Sequence, residues 1–509
     1  MNKLDINGFH AVTSFLKPLD IKRLGCSSKY VYNNCRQFMT YLYNDYGKNE
    51  LYYNLTSAKW IVNKCNKYIL EDCINKKLKI VSISFGNSFN QSIEPIDLIH
   101  LQQINFGRDF NQSIEPLKNC GILQQIAFGS QFNQSIKPLR HCTSLQQITF
   151  KHGSQFNKSI KPLKYCKGLQ RITFGPRFNQ SIEPLQHCLN LQQITFGDRF
   201  NKSIEHLKYL TNLQQITFGD RFNKSVEYLN YCPNLRQITF GEEFNQSIEH
   251  LSECRNLQQI IFDENFDQSI EPLQHCKALQ QITFSYNSRF NKSIESLQYC
   301  KPLQQITFGE HFNQSIKPLS QINIQRITFP FYSDFRQSIE PLGSCKTLQH
   351  ITFNGYFNQS IKPLENCKTL QQITFGWDFN QSIEPLRCCK ALKQITFGRS
   401  FNQSIKPLEN CTALQQITFG QSFNQSIEPL KHCKTLQEIT FGRESHFNQS
   451  IEPLKHCINL RSIIFDKYSC FNQSVESLVN CSRLTYLEVD ANYNQPLDML
   501  KNVNIMIRY

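Results

Sequence analysis

"LQQITFGDRFNKSVEYLNYC" (Leu213–Cys232) changes its apolar period partway along. Ile216 and Phe218 stand two apart with Thr217 between them, the alternation of a short strand with one buried face, and Gly219 ends it. Leu229 and Cys232 are three apart and Leu235 follows three later, a spacing that suits one or two helical or 3₁₀ turns. In most copies of this stretch a proline precedes the leucine, as Pro116 precedes Leu117. Proline is tolerated in a first helical turn, where its missing N–H has no intrahelical partner to lose. The stretch therefore reads strand, tight corner, helical turn, return.

The same grammar recurs along most of the chain. "FNQSIEPL" stands at Phe110, Phe178, Phe379, Phe423 and Phe447, and aligning the opening phenylalanine from Phe89 to Phe471 gives 18 units, most often 22 residues long. A worn further copy, "YNQPL", begins at Tyr493. Periods of this length belong to solenoids, in which no unit buries its apolar face alone and stacked neighbours supply the core. The expected fold class is an α/β repeat solenoid: a curved parallel sheet with short helical or 3₁₀ turns on the outer face, preceded by a small all-helical N-terminal domain.

Each column of the repeat has a reading. Asparagine follows the opening phenylalanine in 16 of 18 units, where its amide suits a ladder bonding backbone groups that the corner leaves unpaired. It also begins "NQS" or "NKS", a glycosylation acceptor pattern that an inward ladder would make unusable, which favours the cytosol. Cysteine lies ten residues after the phenylalanine in 15 of 18 units, and Ile99, Leu210 and Ile322 replace it in the others. Free exchange with Ile and Leu marks a small buried hydrophobe rather than a metal ligand or half a disulfide. The histidines of "HC" pairs, such as His187-Cys188, read as surface residues.

Two columns vary in charge. Five residues after the phenylalanine, Glu runs unbroken from Glu183 to Glu295 and then alternates with Lys from Lys317 to Glu428. Alternation suggests ion pairs between stacked neighbours worth only tenths of a kcal/mol each, while the Glu run either attracts a basic partner or is relieved by Arg177, Arg199 and Arg221. The segment between strand and corner changes most: Arg199, Arg221, Glu242, Glu243, Trp377 and Asp378 lie there, with two-residue expansions such as Ser285 to Arg289. Loops on one edge of a rigid scaffold are where specificity is easily altered, so these six residues are the candidate partner surface, with neutral drift the competing reading. Between Phe312 and Phe335 the helical segment is one residue short, Pro330 follows the strand and Arg336 replaces the ladder asparagine, which predicts a kink or weak seam over Leu319 to Arg336.

Composition adds limits. The 509 residues carry a net charge of +15, of which 13 Lys+Arg against 6 Asp+Glu, or +7, fall in Met1 to Ser88. No apolar run is long enough to span a bilayer, and Asp5 and His10 interrupt any secretory core, so a soluble intracellular protein is expected. No nucleophile elbow, phosphate loop or zinc-binding spacing occurs. Neither an enzyme nor a cofactor is expected. Nucleic-acid binding is the remotest reading, because Lys and Arg form no single stripe and the aromatic residues go to the core.

Before the repeats, Leu4 to Phe38 has a different pattern, with Leu4, Val12, Phe15, Leu16, Leu19, Ile21 and Leu24 as the apolar positions of short amphipathic helices broken at Pro18. A plain helical cap accounts for it almost as well as any other reading. The "FNQSIEPL" unit resembles the FNIP repeat, a relative of leucine-rich repeats found in amoebae and in large DNA viruses that infect them, several of which also carry an N-terminal F-box. Leu4, Val12, Leu16, Asp20-Ile21, Leu24 and Ser28-Lys29-Tyr30 match the F-box spacing, while Asp5 stands where that family has proline. The resemblance implies a leucine-rich-repeat-like solenoid and a binding segment for the Skp-type adaptor of a cullin ubiquitin ligase, with an unknown protein as substrate. The expected organisation is an F-box-like helical segment over 1–45, a helical linker and cap over 46–79 containing Trp60, Ile61, Tyr68, Ile69 and Leu70, repeats over 80–490, and a degenerate last repeat with a cap over 491–509.

Overall fold

The computed structural model describes residues 40–43, 59–68, 70–71, 79–94, 98–353 and 355–508. The chain divides into two compact blocks, Met1–Leu235 and Arg236–Tyr509. Within each block the repeat dictates everything. A strand of three or four residues, such as Gln125–Phe128, lies parallel to its neighbours with Ile104 opposite Ile126 and Ile126 opposite Ile148, and the second block repeats this with Ile282 opposite Ile306. Identical residues fall opposite one another because the register is set by the unit length, so the inward Ile and Phe form continuous apolar rows.

Two phenylalanines per unit build the core. Phe106 and Phe110 stack at 4.1 Å, and Phe110 faces Phe132 of the next unit at 6.2 Å; the second block does the same with Phe397, Phe401 and Phe423 at 3.9 and 6.1 Å. All are buried, as are Ile114, Leu117, Cys120 and Leu123 of the same repeat. Burial of each such side chain is worth roughly 1.5–3 kcal/mol, so a unit is stable only between neighbours that cover both its faces.

The helical segment resolves to a five-residue 3₁₀ turn, Glu115–Asn119 in one unit and Glu428–His432 in another, with proline in the first turn. Its start is fixed by the serine of "FNQSIEPL": the Ser113 hydroxyl accepts the Glu115 N–H at 3.2 Å, and Ser426 does the same for Glu428. Such side-chain turns satisfy a donor that a short helix leaves orphaned. The corner asparagines form the ladder expected of them. Asn111 accepts both the Asn133 N–H at 2.9 Å and the Gln134 side-chain amide at 3.2 Å through one oxygen, and Asn380 does so for Asn402 and Gln403.

The cysteines are core residues with an added role. Cys142 Sγ lies 3.4 Å from the Leu117 carbonyl of the preceding unit, which also accepts the Cys120 N–H at 3.0 Å, and Cys433 reaches Leu408 in the same way. The thiol thus supplies a weak donor that Leu210 and Ile322 cannot. His187 is exposed beside buried Cys188.

The structure departs from two expectations. First, the linker over 46–79 is not wholly helical. Strand β1 (Thr40–Tyr43) pairs parallel with β2 (Lys59–Cys65), and β2 with β3 (Lys79–Phe85), so Trp60 and Ile61 lie in sheet. The stretch "WIV" is as apt for a parallel strand as for a helix, and among the described residues of the segment only Lys67, Tyr68, Leu70 and Glu71 are helical, with the Leu70 N–H bonded to Asn66 O. Second, the charged column pairs within a turn rather than between neighbours: Lys431 meets Glu428 and Lys455 meets Glu452, both at 2.6 Å, because residues three apart eclipse in a 3₁₀ helix. Among the described residues no ion pair joins Arg177, Arg199 or Arg221 to the Glu column. Over Leu319 to Arg336, where a kink or weak seam is expected, strand pairing is continuous. Ile327 pairs with Ile306 on one side and Ile351 on the other, and the missing residue is absorbed where Ile322 becomes extended. The ladder is also altered there, since Arg336 accepts through its backbone carbonyl, to which Gln359 donates at 2.8 Å.

At the C-terminal end the worn repeat is a true member of the stack. Tyr493 stacks on Phe471 at 5.8 Å, Asn494 donates its N–H to Asn472 at 3.1 Å, and strand Asn504–Arg508 pairs with Tyr486–Asp490. The F-box-like residues Leu4, Val12, Phe15, Leu16, Leu19, Ile21 and Leu24 lie outside the described residues. No described helix is long and apolar enough to cross a membrane.

Candidate functional site

The strand-to-corner loops line one edge of each block, and their backbones are tied one to the next. In the second block the Arg289 N–H donates to Glu264 O, Glu310 to Tyr286 O, Asp334 to Glu310 O and Asp378 to Gly355 O, at 2.6 to 2.8 Å. The edge is therefore a rigid surface and not a row of independent loops.

Loop length decides how the opening phenylalanine is held. In the short loops its N–H bonds to a glycine carbonyl, as Phe132 bonds to Gly129 at 3.3 Å. The expanded loops use a buried serine two residues ahead: Ser288 accepts the Phe290 N–H at 3.3 Å and Ser333 the Phe335 N–H at 3.2 Å. Anchored in this way, the residues between strand and serine are pushed outward. In these two loops they are Tyr286 and the pair Phe331–Tyr332.

These rings meet the sequence candidate Trp377. Phe331 packs edge-on against Trp377 at 4.2 Å and against Tyr332 at 5.0 Å; Tyr332 is 6.1 Å from Trp377 and 6.3 Å from Tyr286, all near perpendicular. T-shaped arrangements of this kind are the favoured geometry of aromatic pairs. Trp377, Tyr332 and Tyr286 remain 44–45% exposed, and Tyr356 is exposed between them in sequence. Gly355 is required beside it, since a Cβ there would stand 2.8 Å from the Phe331 carbonyl.

Carboxylates border the rings. Asp378 adjoins Trp377, His311 Nδ1 meets Asp334 Oδ2 at 3.1 Å, and Glu310 lies close enough to Tyr286 that, with partial burial the larger cause, it raises the phenol above its ordinary pKa. Of the six sequence candidates, Trp377 and Asp378 belong to this cluster. Glu242 and Glu243 sit on the same edge nearer the start of the second block, and Arg199 and Arg221 occupy the edge of the first, where their N–H groups bond to Pro176 O and Asp198 O. The sequence reading missed Tyr286, Phe331, Tyr332 and Tyr356. Counting from the strand phenylalanine would have found them, since Tyr286, Phe331 and Trp377 stand two residues after it and Tyr332 and Tyr356 three.

The outward sheet face is monotonous by contrast. Gln103 bonds Gln125 at 2.6 Å and Gln237 bonds Gln259 at 3.1 Å, and a shallow groove over Gln103, Asn105, Gln125 and Gln147 offers only neutral polar groups.

Parallel short strands, 3₁₀ returns and an asparagine ladder define a leucine-rich-repeat fold. The chain is similar to CroV588, a circular leucine-rich-repeat protein of a giant virus, with 28% identity and a TM-score of 0.65 over 92% of this chain and 71% of that one. A leucine-rich-repeat protein of Leptospira interrogans matches at a TM-score of 0.62 with 11% identity, over 74% of this chain and 99% of that one. TLR13 in its complex with ssRNA13 matches at 0.60 with 12% identity, over 88% of this chain and 77% of that one. No family model and no curated protein matches the chain.

Proposed function

We propose that this chain is a protein-interaction scaffold that works as an F-box-type substrate receptor. The solenoid holds a protein partner on its loop edge, Leu4, Val12, Phe15, Leu16, Leu19, Ile21 and Leu24 engage the Skp-type adaptor of a cullin ubiquitin ligase, and the recruited ligase performs the chemistry. The observation that carries the scaffold reading is the contrast between an invariant body and one variable edge bearing exposed, mutually packed aromatic rings, the composition of a binding centre. The adaptor arm rests on the F-box spacing in the sequence. The asparagines whose side chains are committed to the ladder support a cytoplasmic setting, the host cytoplasm for a viral protein.

Co-expression with a Skp-type adaptor tests the receptor reading. Wild type is expected to co-purify with it and the Leu16→Asp variant to fail. A wild type that behaves like that variant overturns the ligase role. The alternative is a repeat scaffold whose N-terminal segment is only a cap, and it is favoured by one observation: strand β1 already belongs to the sheet, so the chain just after the F-box-like residues is committed to the solenoid.

A further inference from the structure

We propose that the Trp377 edge takes a cationic peptide segment, rich in lysine or arginine, from the partner; this rests on the scaffold reading and names the chemistry it recognises. The first support is charge. The loops from Asp263 to Asp378 carry Asp263, Glu264, Glu310, Asp334 and Asp378 against Arg289 alone, in a protein whose net charge is +15. An acidic edge on a basic protein is a local feature that long-range attraction does not produce. His311 occupies Asp334, while among the described residues Glu310 and Asp378 have no ion pair.

The second support is the state of the ring faces. Four exposed tyrosines elsewhere are covered by the protein's own cations, Lys164 over Tyr165 at 5.1 Å, Lys208 over Tyr209 at 5.2 Å, Lys277 over Tyr299 at 5.9 Å and Arg443 over Tyr468 at 5.3 Å, while exposed Tyr231 has none among the described residues. Among the described residues no Lys or Arg covers Tyr286, Tyr332, Tyr356 or Trp377. Faces of tryptophan and tyrosine next to carboxylates attract ammonium and guanidinium groups, through the ring quadrupole and the carboxylate together. The same carboxylates repel phosphate, so a single-stranded nucleic acid, which would also stack on such rings, is disfavoured.

The test uses the full chain and a fluorescein-labelled peptide of alternating arginine and glycine, followed by fluorescence anisotropy at low and moderate salt. A glutamate-glycine peptide and a labelled oligouridine serve as controls. Wild type is expected to bind the arginine peptide alone. Trp377→Ala is expected to weaken it about tenfold, Glu310→Gln with Asp378→Asn by a similar factor that shrinks as salt rises, and Glu340→Gln with Glu384→Gln, on the 3₁₀ turns away from the loop edge, not at all. All these side chains are at the surface, and circular dichroism melts confirm that each variant is folded. The proposal is overturned by wild type that does not bind the arginine peptide, by binding that survives Trp377→Ala, or by oligouridine taking the site instead. Adaptor co-purification is scored separately, so either reading can fail without the other.

Discussion

Replacing Gly197 by alanine tests how tightly the corner is built. A Cβ at Gly197 would stand 2.0 Å from the Gly175 carbonyl oxygen and 2.7 Å from the Pro176 Cα, both backbone atoms of the unit below. Neither can swing away as a side chain would. Relief requires the two units to separate locally, which disturbs Phe196 and Phe200, stacked at 4.0 Å on either side of the glycine in sequence. Overpacking against fixed neighbours costs about 1–3 kcal/mol, and backbone contacts on this scale place the substitution at the upper end. The chain entropy that alanine removes from the unfolded state returns about 0.4–1 kcal/mol, leaving a net loss of roughly 2 kcal/mol. Gly121→Ala is the matched control, because no atom lies within 4 Å of its added Cβ, and it should be neutral or slightly stabilising. Urea unfolding followed by far-ultraviolet circular dichroism measures both, fitted per transition because repeat arrays need not unfold in one step. A Gly197→Ala protein as stable as Gly121→Ala would refute the reasoning.

Two other outcomes follow from buried chemistry. Burial pushes the Cys166 and Cys188 thiols up to about 12, and the thiolate is the reactive form, so among the described cysteines iodoacetamide on the native protein should label exposed Cys470 first and half-buried Cys388 next. Mass spectrometry showing Cys166 or Cys188 modified as fast as Cys470 would contradict the buried column. Glu488 is buried, which raises its carboxyl, but hydrogen bonds from Arg508 at 2.7 Å and Tyr486 at 2.6 Å outweigh this and leave it below the ordinary glutamate value. A depressed acid stabilises the fold above its unfolded pKa, and that contribution is lost as pH falls through the folded one. Hydrogen-exchange protection of Asn504–Arg508, corrected for intrinsic rate, should therefore drop below about pH 4 in wild type and vary much less in Glu488→Gln.

The body of the fold was legible because one unit contains its own instructions. Ile216 and Phe218 mark the strand, Leu229 and Cys232 the turn, and repetition removes the ambiguity that either signal has alone. The ladder role of Asn111 was equally readable. Contacts between columns were harder. The alternating Glu and Lys suggested bonds across neighbouring units, but 3₁₀ geometry brings Glu428 to Lys431 within one turn. The serine of each unit was passed over, although Ser113 starts the turn by accepting the Glu115 N–H. Ahead of the repeats, Trp60 and Ile61 lacked the neighbouring copies that would have separated strand from helix. The aromatic edge escaped because Tyr286, Tyr332 and Trp377 lie in different units, and only stacking makes them neighbours.

The asparagine ladder also has a direction. The corner oxygens serve the unit that follows, as Asn111 serves Asn133 and Asn402 serves Asn424. Excising or duplicating a whole unit between two such asparagines leaves the rejoined neighbours with the same donor and acceptor they had. Copy number is thus nearly free of structural cost, and the stretches opening at Phe423 and Phe447 are identical over eleven residues. The loops sit outside the ladder, so every added copy brings a fresh stretch of edge that can diverge without weakening the stack. The number of units therefore sets how much variable edge the chain presents.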